Sequence, residues 1–270
     1  MKRTERVGAM VHILCQNPNK SFSLNYFCDL FQAAKSSISE DVAAAKKAVE
    51  YTGLGRIETT AGSKGGMKYI PWISTDATEG LLEELKEKLS DKSRILGGGF
   101  LYTSDIMFDA DLIRRVGEVF AKKFVSLEAD YVVTIETKGI PVALMTAHML
   151  NLPMVVIRRE SKISEGSTVS INYFSGSTER IQKMSLAKRA VKAGTKAIVI
   201  DDFMRAGGSV KGISDMLREF DVELAGVGVV IASMTPEKKK IQNYFTLLHL
   251  GEVDEDSGKI TIMGNEEILT

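Results

Sequence analysis

Apolar residues recur at helical spacing through the first fifty residues of the chain. The pattern predicts a helix over residues 5–16, which Pro18 ends, and a second helix over residues 24–31. A third helix is predicted to start at Ser37-Ile38-Ser39-Glu40, which fits a capping box, and to end near Gly53. Its apolar face consists of Ile38, Val42, Ala45 and Val49. Three short helices are therefore expected at the start of the chain.

Two β-type runs around a glycine-rich tip follow the third helix. Residues 55–72 read GRIETTAGSKGGMKYIPW, with Lys64 in the tip. Three short helices followed by a hairpin is the plan of a winged helix-turn-helix, so residues 1–73 are predicted to form a winged-helix DNA-binding domain. The alternative is a small docking domain with solvated lysines.

The rest of the chain, residues 74–270, begins with a connecting helix and then alternates helices and strands. The leucines on one face of the connecting helix are expected to pack on the second domain or on a partner subunit. The predicted strands are 131–135, 154–158, 197–200 and 224–231. The predicted helices are 109–124, 141–150 and 209–220. This alternation predicts an α/β domain with a mostly parallel sheet flanked by helices.

One segment interrupts the alternation of helices and strands. Residues 159–189 are long, polar and rich in Ser, Lys and Arg, and they include the strand-like run TVSINYF. We expect a projecting hairpin that can fold over a ligand. The alternative is a disordered surface excursion.

Composition places the chain among globular proteins. Of its 270 residues, 44% are hydrophobic and 26% are charged. No signal-peptide pattern and no apolar stretch of transmembrane length is present, and Cys15 and Cys28 lack CxxC spacing. We therefore expect a cytoplasmic protein with two reduced thiols and no membrane contact.

The zero net charge hides an uneven distribution. Residues 1–73 carry a formal charge of +4 and the remainder carries −4, which points to a polyanion partner at one end. We expect this partner to be double-stranded DNA. The third helix would enter the major groove by its N-terminal end, and the hairpin tip would reach the phosphates or the minor groove. The predicted DNA contacts are Arg3, Lys35, Ser36, Ser37, Ser39 and Lys64.

Residues 197–212, AIVIDDFMRAGGSVKG, combine a strand end, two carboxylates and two glycines. Asp201 and Asp202 can accept hydrogen bonds from the vicinal hydroxyls of a ribose. Gly207 and Gly208 let backbone amides approach a phosphate, and Ser209 opens a helix whose N-terminus favours an anion. A receiver-type phosphoacceptor site places its paired acids earlier in the chain, and no dinucleotide or Walker motif is present.

This segment resembles the binding signature of type I phosphoribosyltransferases, which use phosphoribosyl pyrophosphate (PRPP). The segment TIETKGIPVA fits the same ligand, because it places Thr137, Lys138 and Gly139 between a strand and a helix. In that family a loop of this kind binds the pyrophosphate, so Lys138 is expected to pair with it.

Both halves of the chain resemble the purine operon regulators of Gram-positive bacteria. The runs that carry the resemblance are AKSSISEDV, GGMKYIPW, TKGIP, EGSTVSINY, RIQKMSLAKR and VIDDFMRAGGS. The resemblance implies a winged helix fused to a phosphoribosyltransferase-like domain, usually dimeric, that senses PRPP without transferase activity. The implied function is a DNA-binding transcription regulator of purine biosynthesis and salvage genes, with no catalytic residues.

The effector is expected to be PRPP with Mg²⁺, and guanosine tetraphosphate could occupy the same anion sites. No metal site built from the protein alone is predicted. The expected effector-binding residues are Tyr102, Thr137, Lys138, Gly139, Arg158, Asp201, Asp202, Phe203, Met204, Arg205, Ala206, Gly207, Gly208 and Ser209.

One departure from the enzyme pattern supports binding without turnover. Enzymes of the fold generally carry a threonine just before the two glycines, where this chain has Ala206, preceded by Arg205. The alternative function is an active purine phosphoribosyltransferase with an N-terminal dimerisation domain. A third possibility is an adaptor that binds RNA or protein.

Overall fold

The computed structural model describes residues 1–60, 62, 65–160, 163–175 and 180–269. Its contacts divide the chain into two compact units, Met1–Ser74 with His148–Asn151, and Thr75–Ala147 with Leu152–Thr270. Each unit has a hydrophobic core of its own.

The first unit has the predicted order of helices and hairpin. Met10, Leu14, Phe27 and Ile38 are fully buried between the helices, which explains the apolar spacing of the sequence. The hairpin strands pair antiparallel in register from Gly55↔Pro71 to Thr60↔Gly66. The elements are α1 (Arg3–Cys15), α2 (Leu24–Phe31), α3 (Lys35–Thr52), β1 (Gly55–Thr60) and β2 (Gly66–Pro71).

The predicted capping box at the start of α3 is wrong. The helix already begins at Lys35, and its N-cap residue Ala34 has extended backbone angles and makes no side-chain cap. The hydroxyl of Ser39 instead donates to the carbonyl of Lys35, 2.9 Å away inside the helix. A serine can satisfy its hydroxyl in this way anywhere in a helix, so the sequence pattern does not fix the first residue.

A buried carboxylate ties α1 to α3. Asp41 is completely buried on α3, and its Oδ2 accepts from Arg6 Nε of α1 at 2.6 Å. Arg3 Nε lies 3.5 Å from the other oxygen of Asp41. A buried charge is tolerated only when it is paired, so these arginines stabilise the arrangement of the two helices.

Beyond Ser74, the described chain alternates helices and strands as predicted. Two additional strands follow the last predicted strand and extend the sheet. The elements are α4 (Thr75–Leu89), β3 (Ile95–Leu96), β4 (Phe100–Leu101), α5 (Ser104–Met107), α6 (Ala110–Phe124), β5 (Tyr131–Ile135), α7 (Gly139–Leu150), β6 (Met154–Ile157), β7 (Thr168–Ser175), β8 (Arg180–Ala187), β9 (Thr195–Met204), α8 (Gly208–Glu219), β10 (Val222–Ser233), β11 (Phe245–Asp254) and β12 (Lys259–Gly264).

The main sheet of the second unit is mostly parallel, as predicted. Its strand order is β12-β11-β10-β9-β5-β6, and only the β11–β12 pair among these is antiparallel. Ile213 and Met216 of α8 are buried on one face. On the other face α6 approaches closely, since a Cβ at Gly228 would lie 2.8 Å from Phe124. Helices therefore cover the sheet, and the loops that follow β5 and β9 leave the same edge.

The connecting helix α4 packs on the second unit. Leu81 and Leu85 are fully buried, and Arg115 of α6 bonds Glu84 at 2.7 Å. The expectation that the leucines of this helix pack on the second domain is therefore confirmed.

Segment 159–189 contains the expected hairpin. Strands β7 and β8 pair antiparallel from Thr168↔Ala187 to Ser175↔Arg180. Their described part does not project freely, because Tyr173 and Met184 pack closely on Gly212 of α8. Residues 176–179, between the two strands, lie outside the described residues.

Within the described ranges, no helix is both long enough and apolar enough to cross a membrane.

Candidate functional site

Strand β9 carries the two predicted carboxylates at its carboxyl end. The strand extends to Met204, so Asp201 and Asp202 are among its last residues and do not lie in a loop. Asp201 is 5% exposed and its Oδ1 accepts the backbone N–H of Asp202 at 3.0 Å, while Asp202 is half-buried. The pair is therefore held rigidly, with Asp202 the more accessible of the two.

Burial makes this carboxylate pair easy to protonate. Burial, followed by the adjacent charge of Asp202, raises the pKa of Asp201 well above its usual range. Burial also raises the pKa of Asp202, against the opposing effects of its hydrogen bond with Asp201 and, more weakly, of the Lys138 charge. Two neighbouring carboxyl groups with raised pKa values favour a ligand that brings hydroxyl donors or a cation.

The loop after β5 lies directly against the carboxylates. Gly139 is buried, and a Cβ at this position would lie 2.6 Å from both Asp201 Oδ1 and Thr134 Oγ1. Only glycine allows this approach, which brings Thr137 and Lys138 beside the end of β9. Thr137 is exposed, and the Glu136–Thr137 peptide bond is cis. The two segments singled out from the sequence thus form one site.

The backbone of residues 205–209 curves around a small cavity at the start of α8. Gly207 has φ +76°, in the left-handed region that favours glycine, and Gly208 begins the helix. Asp201 and residues 203–210 line a cavity of about 50 Å³ here. The backbone N–H of Lys240 donates to Ala206 O at 2.9 Å and so closes one side. Backbone amides at a helix N-terminus in such a cavity suit a single phosphate group.

A larger cleft of about 680 Å³ adjoins this cavity. Phe203 and Arg205 line it from the β9 side, and Phe100 lines it from β4. The Arg205 guanidinium carbon lies 6.0 Å from the centre of the Phe100 ring. Met234 and Leu250 complete an apolar wall. Residues between 233 and 263 thus line, together with Phe100, a cleft large enough for a nucleobase.

Segment 100–103 connects the cleft to the loop after β5. Tyr102 is 46% exposed, and its backbone is held by Arg94 through a 2.7 Å bond to the Arg94 carbonyl. The next residue, Thr103, lies with its Oγ1 3.4 Å from Lys138 Nζ. The predicted residue Tyr102 therefore lies beside the site.

Arg158 is bonded to acidic residues rather than free for a ligand. Its Nη1 lies 3.3 Å from Glu136 Oε2, and its Nε lies 3.7 Å from Glu165. The same Glu136 accepts the backbone N–H of Arg159 at 2.6 Å. Arg158 therefore holds the base of the loop after β5.

Sequence reasoning missed Thr103, Glu136 and Arg159. Glu136 stood inside the quoted TIETKGIPVA run, directly before the predicted residues, so its position was a usable signal. Thr103 and Arg159 directly follow the predicted residues Tyr102 and Arg158, but only the fold shows that they bond the loop after β5.

In the first unit, α3 and the hairpin enclose a groove of about 580 Å³. Lys35 and Ser39 line it, as does Lys46, whose Nζ lies 2.9 Å from Thr59 Oγ1 of β1. Lysines and hydroxyls on a helix beside a β-hairpin can bind the phosphates and base edges of a duplex. Lys46 and Thr59 were not predicted, although Lys46 follows Ser39 at helical spacing.

The remaining predicted DNA contacts differ in their exposure and in their bonding partners. Ser36 is exposed and Ser37 is half-buried in the first turn of α3. Arg3 is 58% exposed at its side chain, but it is oriented by Asp41 and by the Glu40 carbonyl at 3.4 Å. Lys64 lies outside the described residues.

Two family models match the chain. A model described as "Bacterial purine repressor, N-terminal" matches residues 2–71, and one described as "Phosphoribosyl transferase domain" matches residues 107–256.

Curated relatives match almost the full length of the chain. The probable purine biosynthesis transcriptional regulator of Streptococcus pneumoniae is 42% identical, covering 98% of this chain and 97% of its own length. The purine biosynthesis transcriptional repressor of Bacillus subtilis is 40% identical, with 97% and 92% covered. The purine biosynthesis transcriptional activator of Lactococcus lactis is 36% identical, with 98% of each covered.

A solved structure supports the fold of the second unit. Adenine phosphoribosyltransferase from Thermoanaerobacter pseudethanolicus superposes with a TM-score of 0.55 at 18% identity, covering 62% of this chain and 99% of that one. The second unit therefore has the phosphoribosyltransferase fold.

Proposed function

Because the chain belongs to the family of bacterial purine biosynthesis transcriptional regulators, we propose that it binds operator DNA and senses PRPP without transferring its ribosyl group. The first unit would bind the DNA of purine gene control regions. The second unit would bind the effector and change the affinity of the first for DNA.

The observation that carries the effector proposal is the contact between the two loops at the ends of β5 and β9. Gly139 brings Lys138 next to Asp201 and Asp202, while the cavity at Gly207 and Gly208 follows on the same strand. A ribose held by its diol on the carboxylates would place its 5′-phosphate toward the cavity and its pyrophosphate toward Lys138. The two anion sites on either side of a diol site match the chemical groups of PRPP.

Magnesium would accompany this ligand. The carboxylate oxygens of Asp201 and Asp202 are of the type that Mg²⁺ prefers, and the two residues are adjacent near the carboxyl end of β9. The ion would neutralise charge on the pyrophosphate.

Binding without turnover is supported by the phosphate cavity itself. Ala206 offers no hydroxyl donor where enzymes of the fold carry threonine, and Arg205 points to the adjoining cleft. The alternative, an active purine phosphoribosyltransferase, predicts product formation in the presence of a purine base.

A second ligand class is favoured by the size of the cleft beside the cavity. The rings of Phe100 and Phe203 and the Arg205 guanidinium line a space of about 680 Å³, which can hold a purine ring next to the phosphate site. Guanosine tetraphosphate carries such a ring and two diphosphate groups. We therefore include it as a competitor of PRPP.

The first experiment measures DNA and ligand together. The protein is titrated onto labelled purine gene control DNA at fixed salt, with Mg²⁺ and increasing PRPP, and product formation with purine bases is followed in the same samples. Specific DNA binding that PRPP weakens, with no product, supports the proposal. Turnover without specific DNA binding would show that the protein is an enzyme.

We also propose that the protein acts as a homodimer. A symmetric dimer would place two copies of α3 on repeated half-sites of the operator. Light scattering of the free protein and of its DNA complex measures the stoichiometry, and a single chain per operator would contradict this.

A further inference from the structure

The loop that is proposed to bind pyrophosphate is held by two neighbouring arginines. Arg158 pairs with Glu136 Oε2 at 3.3 Å, and Arg159 makes further bonds to the same residue. Glu136 directly follows β5 and precedes Thr137 and Lys138. Its Oε1 accepts the backbone N–H of Arg159 at 2.6 Å, and its carbonyl oxygen accepts Arg159 Nε at 3.3 Å. Arg159 therefore bonds both the side chain and the backbone of Glu136, and it is the one of the two arginines that bonds the Glu136 backbone.

The same guanidinium reaches the β7–β8 hairpin. Arg159 Nη1 donates to Gln182 Oε1 at 2.7 Å, and the Tyr173 hydroxyl donates to the same oxygen at 2.7 Å. Tyr173 and Gln182 face each other directly across the hairpin. A continuous hydrogen-bonded chain thus runs Glu136–Arg159–Gln182–Tyr173, which we call the Arg159 relay.

The far end of the relay is fixed to the helix of the phosphate cavity. Tyr173 is 7% exposed, and a Cβ at Gly212 of α8 would lie 3.0 Å from the Tyr173 Cβ. No side chain larger than hydrogen fits between the hairpin and the helix at this point. The relay therefore joins the loop after β5 to the helix whose first turn forms the cavity at Gly207.

We propose that Arg159 is a positioning residue: through the Arg159 relay it holds the Glu136–Gly139 loop in the conformation that binds pyrophosphate. This inference rests on the proposed function, that PRPP binds between the two loops. Among the described residues, no hydrogen bond joins the relay to the carboxylate pair or to the phosphate cavity, although the Arg159 charge lowers the pKa of Asp201 against the effect of burial. Lysine at this position keeps that charge. Loss of the relay should therefore weaken binding of the pyrophosphate group and leave the ribose and 5′-phosphate contacts in place.

A planar guanidinium is required for this role. Nε and Nη1 of Arg159 lie in one plane and donate in two fixed directions, to Glu136 and to Gln182. A lysine would keep the positive charge but has a single nitrogen, which cannot make both bonds at these positions. The charge and the positioning function can therefore be separated by substitution.

The test compares two ligands on four proteins. Calorimetric titrations in constant Mg²⁺ measure the Kd of PRPP and of ribose 5-phosphate for wild type, Arg159→Lys, Tyr173→Phe and the double variant. We expect each single change to weaken PRPP binding by about 3- to 10-fold, the loss of one or two hydrogen bonds. Ribose 5-phosphate binding should change less than about twofold, and the double variant should be no weaker than the weaker single variant, because both changes break the same chain.

Matched controls carry the same chemical changes elsewhere. Arg189→Lys alters an exposed arginine, and Tyr131→Phe removes a hydroxyl from the first residue of β5, at the opposite end of that strand. Neither should change the preference for PRPP over ribose 5-phosphate. Thermal melts of all variants confirm that they fold.

Three outcomes overturn the proposal and differ from one another. If Arg159→Lys weakens PRPP binding and Tyr173→Phe leaves it unchanged, Arg159 contacts the ligand directly. If wild type binds both ligands and no variant changes their ratio, the relay has no positioning role while the proposed function stands. If wild type binds neither ligand, the proposed function fails and this inference fails with it.

Discussion

Asp201 is a residue that the fold holds at a cost in stability. It is 5% exposed, and burial together with the charge of Asp202 raises its pKa. The folded state therefore favours the protonated carboxyl. The stability that Asp201 contributes is complete below the ordinary pKa of an aspartic acid and is lost as the pH rises through the raised pKa of the folded state.

Asp201→Asn should consequently raise the melting temperature at pH 8 and have less effect at pH 5. A gain of the order of 1 kcal/mol corresponds to about 2–4 °C in a domain of this size. The asparagine oxygen can still accept the Asp202 N–H. Thermal melts across this pH range measure the effect, and a variant that is less stable than wild type at pH 8 would contradict it. Binding of PRPP should be lost, as calorimetry would show.

Gly139 is the residue on which the closeness of the two loops depends. In Gly139→Ala the new methyl would lie 2.6 Å from Asp201 Oδ1, so the loop must move away from the carboxylates. We expect the affinity for PRPP to fall by at least about tenfold, since both the diol and the pyrophosphate contacts shift. Calorimetric titration of PRPP with Mg²⁺ measures the change.

A second glycine in the same unit provides the control for that substitution. Gly80 lies within α4, and a Cβ there would meet no atom within 4 Å. Gly80→Ala should leave ligand binding unchanged and raise stability by up to about 1 kcal/mol, through helix propensity. An equal loss of affinity in both variants would show that the Gly139 contact is not specific.

The sequence alone was sufficient to place residues that are neighbours in the chain. Asp201 and Asp202 and the two glycines after them form one strand-to-helix segment, as their local order predicts. That this segment binds a diol and a phosphate stays a prediction. Thr103, in contrast, is 35 residues from Lys138 in the chain, and only tertiary contact places it 3.4 Å from that amine. A residue of this kind has no signature in a single sequence.

At the scale of elements, the helices and strands could be predicted because burial imposes a period. Helix α3 shows the limit of that inference. Its apolar face fixes which side is buried, but its first residue depends on backbone angles at Ala34 that no side chain specifies. The packing of the β7–β8 hairpin on α8 likewise depends on Gly212, a glycine that the helical pattern does not distinguish.

The packing of α1 on α3 depends on Asp41 as well as on the apolar residues between the two helices. Asp41→Ala would leave Arg6 without the partner that it bonds at 2.6 Å, and would open space on a completely buried position. We expect the melting temperature of the first unit to fall by roughly 5 °C or more, with weaker DNA binding as a consequence.

The neighbouring residue on the same helix is the control for Asp41. Glu40 is exposed, so Glu40→Ala should change the melting temperature by less than about 1–2 °C. Circular dichroism melts of both variants make the comparison. Similar values for the two would show that the Arg6 and Arg3 contacts do not stabilise the unit.

For the whole molecule, the two proposed activities, DNA binding and PRPP sensing, should be separable by substitution because they are assigned to different compact units. Replacing both Asp201 and Asp202 by alanine should abolish the response to PRPP while DNA binding remains. The resulting protein would stay on its operator at PRPP concentrations that release wild type. If this variant still released DNA with PRPP, the sensing site would lie elsewhere in the molecule.

Lys46 and Lys47 offer the reciprocal test within one turn of α3. Lys46 lines the groove beside the hairpin and reaches Thr59, whereas Lys47 is exposed and does not line it. Lys46→Ala should weaken operator binding by about five- to tenfold at physiological salt and reduce the slope of log K against log salt by about 1, the loss of one phosphate contact. Lys47→Ala should change neither quantity appreciably, and both variants should bind PRPP as wild type does. Equal effects of the two lysines would mean that the general positive charge of the first unit attracts DNA, and not the groove between α3 and the hairpin. The prediction that α3 enters the major groove would then be wrong.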